Sequence, residues 1–378
     1  MNVTEKISLL GGISPQVFAQ RYWQKKPLLV RQAIPGGLPL LDRRALFDLA
    51  ASQDVQSRLV LNQPDRQPPW RLKNGPFQRR ELPPLKQPGW TVLVQSVDLH
   101  DEDVHALMNQ FRFMPDARLD DVMISFATDG GGVGPHFDSY DVFLLQAKGC
   151  RRWRIGRQKD LSLQADMPLK ILAKFEPEQE YLLEPGDMLY LPPGYAHDGI
   201  AEGECMTYSI GFRSPSRVEL ARELLLCMSE ESGQALDEGI YRDPHQPPCD
   251  APGEIPLPMQ VFARQAVLDV ISDARAMDRA LGAYLTEPKA NVWFDAQAPQ
   301  EIALHSGALQ LDRRTRMMFD AHQVYVNGEA YLARGRDFAL MRILANSRRL
   351  SAKERARLST GAQELLAEWL IAGWVYSG

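Results

Sequence analysis

Apolar positions along the 378-residue chain change their period twice, and the changes divide it into parts. In the first part Ser14 caps and Pro15 opens a helix with Phe18, Tyr22 and Trp23 on one side, which Pro27 stops. Leu28 to Arg31 reads as a strand, and residues 42–52 as a helix with Leu46, Leu49 and Ala50 inward. Residues 56–90 are polar and rich in Pro and Arg, with one short strand near Leu59–Leu61. Trp90 to Val97 alternates as a strand should, and Asp101 to Phe111 is a short helix with acidic residues in its first turn.

From 121 to 213 the rhythm is strand, turn, strand. The expected strands are 121–127, 136–146, 151–156, 181–183, 188–191 and 205–212, and short strands between Gly and Pro turns predict a sandwich or barrel. Ser214-Pro215 marks the first switch. Residues 215–231 and 257–285 have helical period, with Leu220, Leu224 and Cys227 on one face and Val261, Leu268 and Ile271 on another. A Pro-rich connector, 242–258, joins them. This region suits packing or dimerisation better than catalysis. The third part begins near Ala290. It predicts a strand at 308–319, a hairpin over 324–333 turning at Asn327-Gly328, and helices at 337–346, 351–358 and 360–372. A hairpin beside helices is winged-helix-like. The class is α+β, with domains expected at 1–214, 215–289 and 290–378.

Composition narrows the function classes. Apolar residues are 44%, charged residues 24%, and the net charge is −5, so nothing global points to nucleic acid or a membrane surface. The basic residues of the C-terminal part, Arg334, Arg336, Arg342, Arg348, Arg349, Lys353, Arg355 and Arg357, read as a solvated helical face. Cys150, Cys205, Cys227 and Cys249 are widely spaced and form no zinc pattern. The N-terminus lacks the apolar core of a signal peptide, and no apolar run approaches the roughly 18 residues of a membrane span. The cytoplasm is the expected compartment.

The candidate chemistry lies in Gly130 to Arg154, GGGVGPHFDSYDVFLLQAKGCRRWR. In an extended strand alternate side chains share a face, which puts His136 beside Asp138. A lone His-x-Asp pair is weak. Here it follows a glycine turn, a basic-aromatic cluster lies downstream, and a turn-strand-turn unit ends on His197. Two imidazoles and a carboxylate on one face leave about three octahedral positions open, the pattern of a non-haem Fe(II) site. His100, His105, His245, His305 and His322 read as structural or surface residues. An open Fe(II) site needs electrons to activate dioxygen, and 2-oxoglutarate supplies them. Its far carboxylate requires a buried cation. Lys148, Arg151, Arg152 and Arg154 are the candidates; Arg151 shares a face with Trp153, Arg152 and Arg154 read as solvent-facing, and Ser125 on the preceding strand can add a hydrogen bond.

Several stretches resemble the JmjC-type 2-oxoglutarate oxygenases: HFD at 136–138, Gln146, Gly149, Arg151-x-Trp153 and EPGDMLYLPPGYAH at 184–197. RYWQKKPLLVR at 21–31 resembles the opening segment of one branch, the ribosomal oxygenases. The resemblance covers essentially the whole chain. It implies a double-stranded β-helix core, a helical dimerisation region with the chain a homodimer, and a C-terminal winged-helix-like domain that is not a DNA reader. It further implies hydroxylation of an arginine in large-subunit ribosomal protein sixteen. By position His136, Asp138 and His197 match the iron ligands, and Arg151 and Ser125 match the 2-oxoglutarate contacts. Thr207 and Ser209 are expected to line the pocket. Tyr140 and Asp141 are placed to meet a cationic substrate side chain, by stacking and by charge. Two rival classes remain: a demethylase of methylated lysine or arginine, and a non-catalytic winged-helix regulator.

Overall fold

The computed structural model describes residues 2–35, 41–232, 240–248, 250–296 and 307–377. Cys249 and His305 lie outside the described residues. Two compact units form, Met1–Ser214 and Pro215–Gly378.

The first unit opens with α1 (Pro15–Arg21), capped by the Ser14 hydroxyl as its sequence predicts. Then come β1 (Leu28–Val30), α2 (Arg43–Ala50), β2 (Ser57–Asn62), β3 (Trp70–Asn74) and β4 (Trp90–Val94). They are followed by α3 (Glu102–Asn109), β5 (Leu119–Ala127), β6 (Val142–Gly156), β7 (Gln179–Leu183), β8 (Met188–Leu191) and β9 (Ala196–Phe212). The strands pair in the order β1-β8-β6-β9-β5-β4-β2-β3, with β7 also beside β6.

Strand β6 explains how the sheet makes two layers. Its Phe143 and Leu145 enter one core with Phe18, Tyr190, Tyr208 and Phe212, while Val142 and Leu144 enter a second core with Trp153, Ile155, Leu183 and Leu189. A strand buried on both faces reads as a continuous apolar run, as VFLLQ does. The first core is aromatic: Phe18 lies 5.0 Å from Tyr190 and 5.4 Å from Phe143, ring centre to ring centre. Contacts of this kind stabilise through both area burial and ring geometry.

Several boundaries differ from the sequence expectation. Residues 136–141 do not belong to a strand. His136 makes only a single bridge, to His197, and the regular strand starts at Val142. The rest of the strand expected at 136–146 and the one expected at 151–156 are continuous, because Gly149 (φ 62°) absorbs a register shift without breaking the pairing. Strand β9 runs from 196 rather than 205 and so carries His197 itself. Strand β3 is an addition; its Pro-rich flanks hid it.

The second unit holds α4 (Arg217–Ser232), α5 (Leu257–Ile271), α6 (Ala274–Thr286), β10 (Leu309–Leu311), β11 (Met317–Phe319), β12 (Gln323–Val326) and β13 (Glu329–Leu332). It ends with α7 (Gly335–Ser347), β14 (Arg349–Leu350), α8 (Ala352–Arg355), α9 (Thr360–Ile371) and β15 (Val375–Ser377). The helix expected over 257–285 is two, since Asp273 caps a new start. The strand expected at 308–319 is two, since Asp312 and Arg314 close a turn between them. The Asn327-Gly328 hairpin forms as expected, with both residues at positive φ. Helix α6 packs on this hairpin: Gly328 N–H donates to the Thr286 hydroxyl at 3.2 Å and the Tyr325 hydroxyl reaches the Asp278 carbonyl at 3.3 Å. Helix α6 thus packs on the winged hairpin within the second unit.

A Cβ at position 149 would fall 2.1 Å from the Glu204 carbonyl oxygen, and the backbone there is left-handed. Gly149→Ala should lower the stability of the first unit by about 2 kcal/mol or more, read as an earlier urea midpoint with the slope unchanged.

Candidate metal centre

Two backbone hydrogen bonds build the site. His136 N–H donates to the His197 carbonyl at 2.9 Å, and His197 N–H returns to the His136 carbonyl at 2.8 Å. This closed pair sets the two imidazoles side by side, ring centres 4.2 Å apart. One turn further on, Gly194 N–H donates to the Asp138 carbonyl at 2.8 Å and holds the loop so that the carboxylate faces the same point. The three side chains converge as expected, but through this bridge rather than through strand alternation. A ligand atom from each of His136, Asp138 and His197 lies within 4.8 Å of the others, the only such metal-binding group among the described residues. His197 Nε2 stands 3.6 Å from an Asp138 oxygen.

The imidazoles are oriented by the backbone. His136 Nδ1 lies 2.9 Å from the Gly134 carbonyl and His197 Nδ1 lies 2.9 Å from the Tyr195 carbonyl. A carbonyl only accepts, so each Nδ1 carries the proton and each Nε2 presents its lone pair. Burial first, then the neighbouring His136, push His197 from 6.5 down to about 4, against the pull of Asp138. His197 is thus a neutral ligand at ordinary pH. Gly134 and Tyr195 contribute only main-chain oxygens, so no side-chain pattern could have revealed them.

Arg151 is 5% exposed, on the interior of the sheet. Its Nη1 reaches the Ser125 hydroxyl at 3.3 Å, and the guanidinium lies 5.7 Å from the Trp153 ring centre. Its Nε and Nη2 are buried without a hydrogen-bond partner. A buried cation with two idle donors is costly unless an anion meets it, so these atoms fit the planar edge of a carboxylate. The donor set of two imidazoles and one carboxylate likewise fits a ferrous-type ion with open positions.

Of the pocket residues expected, Thr207 is buried and donates to the Gln146 side chain at 2.9 Å, while Ser209 lies beside it on β9 at 9% exposure. Tyr140 hydrogen-bonds Asp138 through its hydroxyl, and burial together with the nearby carboxylates raises that phenol far above its usual range. It remains a neutral donor, with its ring 39% exposed. Asp141 requires a correction. It is fully buried, and its carboxylate accepts from the Tyr190 hydroxyl at 2.6 Å, Gln24 Nε2 at 3.0 Å and Arg118 Nη2 at 3.2 Å. Fully buried and already paired with three internal donors, it does not face a substrate cation; it ties the loop to the N-terminal segment instead.

Residues 106–220 match the JmjC domain family, and residues 269–376 match the ROXA-like winged helix family. The chain is 34% identical to the ribosomal protein uL16 3-hydroxylase of Escherichia coli over 330 residues, 82% of this chain and 84% of that one. The chain belongs to the ribosomal-oxygenase branch of the JmjC family. The fold is accordingly the JmjC cupin barrel followed by a winged helix. One solved structure of the Escherichia coli ribosomal oxygenase YcfD superposes with a TM-score of 0.77 at 31% identity, covering 99% of each chain. Another, of YcfD in complex with cobalt and 2-oxoglutarate, gives 0.75 at 31% identity over 96% of this chain and 97% of that one. No helix among the described residues of this JmjC oxygenase is long and apolar enough to cross a membrane.

The neutral His197 has a consequence for stability. Its folded pKa lies below its unfolded one, so the unfolded chain takes up a proton that the folded chain refuses. In the metal-free protein stability should fall as pH drops from 6.5 to about 4, by about 3 kcal/mol in all, and level off below. NMR titration of the His197 ring should place its midpoint near 4; a midpoint at the ordinary value would contradict the burial argument.

Proposed function

We propose that this chain is a 2-oxoglutarate- and Fe(II)-dependent oxygenase that hydroxylates an arginine side chain of the large-subunit ribosomal protein uL16. The observation that carries the reading is the pairing of an open His136–Asp138–His197 triad with a buried guanidinium, Arg151, two of whose donors have no partner. Relatives named for uL16 hydroxylation and for 2-oxoglutarate binding support it.

His136, Asp138 and His197 would hold the metal through Nε2, a carboxylate oxygen and Nε2. Arg151 and Ser125 would hold the far carboxylate of 2-oxoglutarate, Arg151 through Nε and Nη2. When bound, Fe(II) with 2-oxoglutarate and dioxygen supplies the oxidation that puts one oxygen atom into a C–H bond, the co-substrate leaving as succinate and carbon dioxide. The chain's own work is placement. The Gly134 and Tyr195 carbonyls keep both imidazoles turned inward, Tyr140 steadies Asp138, and Trp153 and Ile155 keep the interior dry. The cytoplasm, where ribosomal proteins are made, is the setting this reading implies.

The chain is proposed to act as a homodimer joined through its helical region. Helix α5 buries none of its residues, and Leu257, Val261, Val267 and Leu268 are each more than half exposed. An apolar helix left uncovered is suited to a second copy of itself. Sedimentation should give a dimer for the native chain and a monomer for Val267→Glu combined with Leu268→Glu; a native monomer would contradict the interface.

Incubation of the purified chain with Fe(II), 2-oxoglutarate and uL16 peptides should add the mass of one oxygen to an arginine, with matching succinate. Arg151→Gln should raise the KM for 2-oxoglutarate by roughly 30-fold or more. No mass gain on any uL16 arginine would overturn the assignment.

A further inference from the structure

The inner face of the sheet extends beyond the residues assigned to metal and co-substrate. Directly paired residues in a sheet share a face. Thr207 pairs with Ser125, Ser125 with Leu93, and Leu93 with Arg58. Ser125 reaches Arg151, so this row looks into the site, and Arg58 lies toward its outer end. Two strand spacings, roughly 10 Å, separate Arg58 from Ser125. Leu59 and Leu61 go to the opposite face, into the aromatic core. Across the hairpin Arg58 pairs with Asn74 and Asn62 pairs with Trp70, so Trp70 looks the same way.

Both residues carry signs of a binding surface. Arg58 is partly exposed, yet its Nε is buried without a hydrogen-bond partner. Trp70 is partly exposed and packs against Gly134, where a Cβ would fall 2.9 Å from its ring and the backbone φ is 77°. The Gly134 carbonyl is the one that orients His136. Trp70 therefore stands at the rim of the metal centre, and Ile171 meets the same glycine.

We propose that the inner face of the β2–β3 hairpin is the acceptor subsite, with Arg58 donating to main-chain carbonyls of the acceptor segment and Trp70 forming the wall against its side chains. The inference rests on the acceptor being a ribosomal-protein segment. A guanidinium beside the target guanidinium would repel it, so Arg58 acts on the peptide's oxygens and not on the arginine to be oxidised. Trp70 offers a flat apolar face at which a cationic side chain can pass.

The test separates acceptor from co-substrate. Initial rates of succinate formation are measured for the full chain with a panel of arginine-containing uL16 peptides, varying peptide and 2-oxoglutarate in turn. Arg58→Gln should raise the peptide KM about tenfold or more while the 2-oxoglutarate KM moves less than about twofold. Arg58→Lys should fall between the two, and Trp70→Leu should lower kcat/KM for the peptide by about tenfold. Cobalt affinity of each variant checks that the metal centre is still folded. A raised 2-oxoglutarate KM with the peptide KM unchanged would make Arg58 a co-substrate residue and overturn the proposal, as would no change in either. If the native chain turns over 2-oxoglutarate but oxidises no peptide of the panel, the substrate reading fails and the subsite falls with it.

Discussion

The reciprocal pair of backbone hydrogen bonds between His136 and His197 is the constraint on which the rest of this molecule depends. One partner sits at the start of the long strand β9, paired along its length with β6 and β5. The other sits in an irregular loop that has no strand to hold it. Gly194 and Asp141 anchor the loop further along, but only this bridge fixes His136 directly against His197. With it, the rigidity of the barrel is passed to the loop, and three ligand atoms come within reach of one ion.

The same barrel explains why a cation can be stored inside it. Arg151 sits inside the sheet on β6, beside Trp153 and with one hydrogen bond, to Ser125. Two other buried charges in this unit are matched: Asp187 by Arg31 at 2.5 Å, Asp141 by Arg118 at 3.2 Å. Arg151 has no carboxylate partner among the described residues, and an interior charge left unmatched costs several kcal/mol. A fold that keeps such a residue gains from it only when an anion enters.

Much of this could be read from the residues. The triad was legible because a carboxylate and two imidazoles bracketed by glycine and proline turns have few structural uses. The two most specific motifs also meet in space: Arg31 of the RYWQKKPLLVR segment pairs with Asp187 of the EPGD turn. What was illegible is instructive. Asp141 looked like a substrate contact because it follows Asp138 so closely, but its three donors come from Gln24, Arg118 and Tyr190, positions far away in sequence. Strand β3 hid between prolines. The join of α6 to the hairpin could not be read either, since Gly282 makes room for Tyr325 and nothing local in the sequence records that packing.

The most direct test of the convergence is a crystal structure of the chain grown anaerobically with cobalt and 2-oxoglutarate, the metal located by its anomalous signal. The account predicts one strong peak bound by His136 Nε2, Asp138 and His197 Nε2 and by no other protein atom. It also predicts the far carboxylate of the co-substrate on Arg151 Nε and Nη2. A metal bound elsewhere, a fourth protein ligand closing the sphere, or a carboxylate turned away from Arg151 would contradict it.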